Sequence, residues 1–245
     1  MRLRLSWKLL LPPLASLAML GGCPVPPRAP PPPAAAPPQA LAPAPHAGTP
    51  YEIVPRDSLL TILVYRAGPL ASAGHNHVIA SHDLSGTIYV PAETLQSSFE
   101  IHIPVDTLTV DEPQLRAQQP AAEFPPEVSA EAKDGTRRNM LGEALLDAPR
   151  NPEIVLRALQ LERTDGTSAE SGAVAAHVLT TVRGQVRTLT VAVHYRRGGN
   201  GTLEVSSEFP LRQTELGLTP FSAMLGALQV QDEMRVSIRL VARAP

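Results

Sequence analysis

Cysteine is all but missing from this chain: among 245 residues there is one, Cys23. A single thiol cannot form an internal disulfide, so any folded domain must be held by its apolar core alone. Aromatic residues are scarce, at 4%, and the only tryptophan, Trp7, lies near the start. That scarcity argues against an aromatic-rich cleft such as sugar-binding proteins use. There is no excess of positive charge, with 21 basic against 23 acidic residues, which disfavours nucleic acid as a partner. Catalytic patterns are absent as well. No Gly-x-Ser-x-Gly elbow, glycine-rich phosphate loop or His-Glu-x-x-His pair occurs; these are the arrangements that mark a nucleophile, a bound phosphate or a catalytic metal. The expectation is a binding protein without a cofactor, not an enzyme.

What the chain does have begins at its N-terminus. Arg2, Arg4 and Lys8 flank or precede an apolar run from Leu9 to Leu20, which Gly21-Gly22-Cys23 follows. A basic region, an apolar region and small residues before a cleavage point make a secretory signal. The run is short and broken by Pro12 and Pro13, so it makes a poor membrane span. Leu20-Gly21-Gly22-Cys23 resembles a bacterial lipobox, which implies that residues 1–22 are removed and Cys23 becomes the lipidated first residue. Pro24 follows that cysteine in place of an acidic residue. By the same resemblance this implies a protein of the cell envelope, facing the periplasm and anchored to the outer membrane rather than the inner. Loss of the signal leaves 18 basic and 23 acidic residues, a net charge of about −5.

From Pro24 to Pro50, 12 of the 27 residues are proline and most of the others are alanine. Such a stretch cannot bury enough apolar surface to offset its ordering entropy and stays extended. At roughly 3.1 Å per residue it reaches about 80 Å. Residues 23–50 therefore read as a lipid-bearing tether and residues 51–245 as one domain, long enough for a sizeable core.

Within that domain the dominant signal is alternation of apolar and polar residues. Phe99, Ile101, Ile103 and Val105 point one way against Glu100 and His102. Leu189, Val191, Val193 and Tyr195 alternate with Thr190, Ala192 and His194. Leu203, Val205, Ser207 and Phe209 alternate with Glu204, Ser206 and Glu208, and Met234, Val236, Ile238 and Leu240 with Arg235, Ser237 and Arg239. A period of two puts every second side chain on one face of a strand. Further strands are expected at Leu59–Arg66, His75–Ala80, Leu84–Val90, Glu153–Leu161 and Ala176–Val182. A turn is expected at Arg197-Gly198-Gly199-Asn200-Gly201, where positive φ is needed. Many one-sided strands without alternating helices predict an all-β, antiparallel barrel or sandwich.

Between Val105 and Glu153 the alternation stops. The pattern predicts a helix over Thr136–Leu146, with Thr136 as its cap, Met140, Leu141, Ala144 and Leu145 as its apolar stripe, and Pro152 as its end. The proline- and alanine-rich segment from Asp111 to Asp134 is expected to cover one end of the barrel.

Several segments, in this order, resemble the YceI-like family. Phe99 to Leu108 is similar to its strand ending in an Asp-Thr turn, here Asp106-Thr107. Asn139-Met140-Leu141, Leu146-Asp147 and Asn151-Pro152-Glu153-Ile154 are similar to its helix, loop and return strand. Leu179-Thr180-Thr181-Val182-Arg183-Gly184, Arg212 to Leu218 and Val230 to Leu240 resemble its later turn, arginine-to-glycine segment and last strand. The resemblance implies a lipocalin-like up-and-down β-barrel with one or two short helices, holding a polyisoprenoid chain such as a quinone tail. An eight-stranded barrel has room for one ligand between apolar inner faces, although alternation alone does not separate a cavity from a filled core.

The candidate interior positions are Phe99, Ile101, Ile103, Val105, Leu189, Val191, Val193, Met234, Val236 and Ile238. His75 and His77 lie two apart and share a strand face. They are candidates to hydrogen-bond a ligand head at the barrel mouth, or to pack and face water. A rival reading makes them ligands of a metal or a haem group, joined by His82. A second rival is a solidly packed scaffold whose 106–152 excursion docks a partner. Arg137-Arg138 and Arg196-Arg197 are the densest basic pairs. Guanidinium forks of this kind suit a polyprenyl phosphate head, while most arginines simply face solvent.

Overall fold

The computed structural model describes residues 46–164 and 166–245. The signal segment, Cys23 and most of the tether lie outside the described residues. The first three strands of the fold are each broken once. β1 (Thr49–Ile53) and β2 (Leu59–Val64) lie along one edge of the last strand, and the short β3 (Arg66–Ala67) follows. β4 (His77–Ser81) and β5 (Ser85–Val90) form the second broken strand, and β6 (Ser98–Pro104) and β7 (Thr109–Val110) the third. β5 pairs with β1 and β6, while β4 pairs with β2 and β7. The remaining strands are β8 (Glu153–Arg163), β9 (Ser171–Val182), β10 (Gln185–Arg197), β11 (Thr202–Arg212), β12 (Ser222–Ala223), β13 (Leu228–Val230) and β14 (Glu233–Arg243). With each broken pair taken as one, eight strands follow in up-and-down order and close where β14 meets β1 and β2. The chain is therefore the all-β, lipocalin-like antiparallel barrel that the alternation and the resemblance predict. β12, β13 and β3 make a small separate sheet.

Two local devices let the ladder turn and close. Arg183 and Gly184 carry φ of 50° and 68° between β9 and β10, the left-handed pair that a two-residue hairpin loop requires. At the break between β1 and β2 a side chain replaces the missing strand. The Ser58 hydroxyl donates to the Val54 carbonyl at 2.9 Å and accepts the Val241 amide at 3.0 Å. The partly buried Val241 amide of β14 is thereby paired where the neighbouring strand is interrupted.

The two helices are α1 (Pro113–Ala117) and α2 (Ala130–Leu141). α2 starts six residues before the predicted Thr136 because Ser129 is its cap, accepting the Ala132 amide on its hydroxyl at 3.2 Å. It ends at Gly142, ahead of Pro152. Thr136 sits in mid-helix and serves a different purpose, described below. Met140, Leu141, Leu145 and Leu146 join Val105, Leu108, Val182, Leu216 and Leu218 in one core cluster. These residues lie where β6, β9 and β11 finish, so they form a floor at that end of the barrel.

The Asp111–Asp134 segment is placed differently from expectation. Its Leu115 and Phe124 pack on Leu63, Val78 and Ala80 in a second cluster. Those strand positions alternate with Leu60, Ile62 and Ile79 of the main core, so this segment covers the outer face of β2 and β4. The end itself is filled by the last turn of α2 and the residues just after it. Apolar side chains on that outer face needed a cover that the period of two did not reveal, since a strand covered on both sides loses its alternation.

Candidate binding site

Because inward residues recur at every second position, all the long strands deliver aliphatic side chains to one interior. They do not meet in the middle. A cavity of about 200 Å³ remains, lined from β6 by Phe99, Ile101 and Ile103, from β10 by Leu189, Val191 and Val193, and from β14 by Met234, Val236 and Ile238. Leu156, Val174, Ala176, Val178, Val205 and Phe209 from the other strands complete the wall. Nine of the ten interior positions read from the sequence thus line one space. Val105 lies beyond it, 2% exposed in the floor cluster.

Polar atoms on this wall are few. Ser207 donates its hydroxyl to the Ala192 carbonyl at 2.6 Å, and the Tyr195 hydroxyl donates to the Ser168 carbonyl. Three others are buried without a partner: the Ser97 hydroxyl, the Thr180 hydroxyl and the Nη2 group of Arg197. All three residues line the cavity, and among the described residues no aspartate, glutamate, lysine or histidine does so. Sequence reasoning did not select Ser97 or Thr180, since an isolated serine or threonine among aliphatic residues looks like strand punctuation. Arg197 carried a signal that the pairing in sequence obscured. Arg196 and Arg197 are adjacent, so one must face out and the other in. Arg196 faces out and pairs with Glu204 at 2.6 Å.

The histidines belong to another assembly. Neither His75 nor His77 lines the cavity. His77, 8% exposed, is hydrogen-bonded through Nδ1 to Asp111 Oδ2 at 2.6 Å and through Nε2 to Thr136 Oγ1 at 3.1 Å. Asp111 Oδ1 accepts the Val78 amide at 2.9 Å and Arg116 Nη1 at 2.6 Å. Arg116 is 1% exposed and also donates to the carbonyls of Asn76 and Pro125. This network ties β4, the excursion and α2 together. Burial opposes the charge on Asp111, but hydrogen bonds from His77 and the Val78 amide and the charges of His77 and Arg116 outweigh it. They hold the carboxyl below its ordinary value. His75 is exposed, its ring 6.0 Å from that of His77. Partial burial and the positive groups His77, Arg116 and Arg66 push its pKa down. His82 pairs with Glu112 at 3.0 Å. Among the described residues no three His, Cys, Asp or Glu side chains gather as a metal-binding group. Asp111 lies 34 residues from His77 in sequence, so nothing local foretold their pairing.

A comparison with curated proteins finds no match. Among solved structures, BcnA of Burkholderia cenocepacia superimposes with a TM-score of 0.55 at 15% identity, over 78% of this chain and 99% of its own. A polyisoprenoid binding domain from Saccharophagus degradans, implicated in plant cell wall breakdown, gives 0.51 at 11% identity, over 80% of this chain and 98% of its own. At these identities the likeness is one of fold. The model of the YceI-like domain matches residues 51–242, nearly the whole barrel from β1 to β14, and the chain belongs to that family.

Proposed function

We propose that this protein holds one long apolar lipid chain, of the isoprenoid type found in quinone tails, inside its barrel, and that it does so in the cell envelope, tethered through a lipidated Cys23. The observation that carries this reading is a cavity of about 200 Å³ walled almost wholly by aliphatic side chains. Protein interiors are normally packed to crystal-like density, and a void in that packing forfeits contacts. A void with apolar walls is poor at holding water and good at holding hydrocarbon. The binding energy would come from burying the chain, at roughly 25 cal/mol per Å² of apolar area, less the cost of ordering it. The polyisoprenoid-binding domain among the structural relatives supports an isoprenoid over other hydrocarbons. The role is binding rather than catalysis, because the wall supplies grip and exclusion of water without a nucleophile and base.

The test is to purify the full chain from membranes in mild detergent and record its native mass before and after solvent extraction. An extractable adduct with an isoprenoid mass is the expected result. A bare protein that also takes up no added quinone would reject the reading and favour a packed scaffold.

A further inference from the structure

The cavity is not uniform along its length. Toward the floor the wall carries one neutral unpaired hydroxyl, that of Thr180, while the opposite end, where β6 begins and β10 finishes, carries Ser97 and the charged Arg197. Antiparallel pairing from β6 through β8 and β9 to β10 places those two termini at the same end of the barrel. Arg197 continues the inward series of Val191, Val193 and Tyr195, so the strand itself turns its guanidinium inward. No side-chain hydrogen bond or ion pair to Arg197 is found among the described residues, and its Nη2 is buried without a partner. The Ser97 hydroxyl is in the same condition. Among the described residues no carboxylate lines the wall, whereas Arg196, one residue away, has Glu204. An arginine is always charged, and a partly desolvated guanidinium without a counter-charge is a standing demand for an anion.

We propose that the bound lipid carries an oxyanion head, a phosphate or a carboxylate, which accepts hydrogen bonds from Arg197 and Ser97 while its tail runs toward the floor. This rests on the lipid-cavity reading above and narrows the head of the bound lipid from neutral to anionic. A neutral carbonyl can accept hydrogen bonds but leaves the charge uncompensated. An oxyanion offers the paired acceptors that match the planar fork of arginine, with a further lone pair for the serine hydroxyl.

The experiment compares four probes on the full chain in detergent micelles: a polyprenyl alcohol and its monophosphate of identical length, and a long-chain fatty alcohol and its acid. The anion of at least one pair is expected to bind ten or more times more tightly than its alcohol. Preference within the polyprenyl pair identifies phosphate as the source, and preference within the fatty pair identifies carboxylate. Arg197→Gln should abolish that preference, bringing the affinity for the anion down to that for its alcohol, and Arg197→Lys should restore part of it. Equal binding of anion and alcohol by the unaltered protein overturns the head assignment alone, as does an undiminished preference in both variants. Failure of all four probes to bind overturns the cavity reading together with it.

Discussion

Ser58 shows how one hydroxyl can stand in for a length of strand. It is 2% exposed and bridges the Val54 carbonyl to the Val241 amide. In Ser58→Ala the partly buried Val241 amide loses its partner, and such a loss costs toward the lower end of about 1–3 kcal/mol. A denaturant midpoint lowered accordingly, with an unchanged slope, is the expected outcome. Asp111 makes a prediction in pH. Its carboxyl is held below its ordinary value in the folded protein, so the unfolded chain binds its proton more readily. The stabilisation is therefore complete above the ordinary aspartate value of about 3.9 and drains away as pH falls below it. Asp111→Asn removes the partner of the buried Arg116 and should lose about 3–5 kcal/mol near neutrality. Its stability below pH 4 should also vary less steeply than that of the unaltered protein. None of this was visible in the sequence, because Ser58–Val241 and His77–Asp111 are contacts between residues far apart along the chain.

At the level of elements, legibility followed the number of different environments a strand meets. β10, β11 and β14 have one face in the cavity and one in solvent, so Leu189 to Tyr195, Leu203 to Phe209 and Met234 to Leu240 displayed the alternation plainly. β4 is buried throughout, as His77, Val78, Ile79, Ala80 and Ser81 all are, and its position could be read but not its double cover. α2 was displaced in the reading for a chemical reason. Thr136 is a good cap by type, yet Ser129 holds that position, and Thr136 faces His77 instead. The strands also allow a direct test of what the cavity does. Ala176 lines it and is 0% exposed; in Ala176→Phe the ring would grow into the void. Overpacking of this kind costs about 1–3 kcal/mol, so the barrel should still form, with unchanged far-ultraviolet dichroism, while lipid recovered by extraction falls severalfold. Full recovery would mean that the lipid sits elsewhere. Val191→Glu should be harsher, since an unpaired carboxylate on an apolar wall costs either the fold or the lipid; normal behaviour in both assays would show that Val191 does not face the ligand.

For the molecule as a whole, the proposed lipid anchor adds a prediction about place. If Cys23 carries the lipid, Cys23→Ser should move the protein from the membrane fraction to the soluble fraction or leave its signal uncleaved. Recovery in the membrane with a processed N-terminus would argue for another attachment. The barrel has an order of assembly built into its seam. Hairpins such as β9–β10 join near neighbours in the chain, but closure pairs Glu52 with Arg243 and Ile53 with Ala242, and β2 with β14. Contacts across so long a loop form late, because their entropy must be met before they give anything back. Until β14 docks, the aliphatic wall is an open, curled sheet with no inside. On the lipid-binding proposal, cargo loading would then be coupled to closure of the seam, and a hydrocarbon tail captured at that moment would act as a template on which the last strand settles.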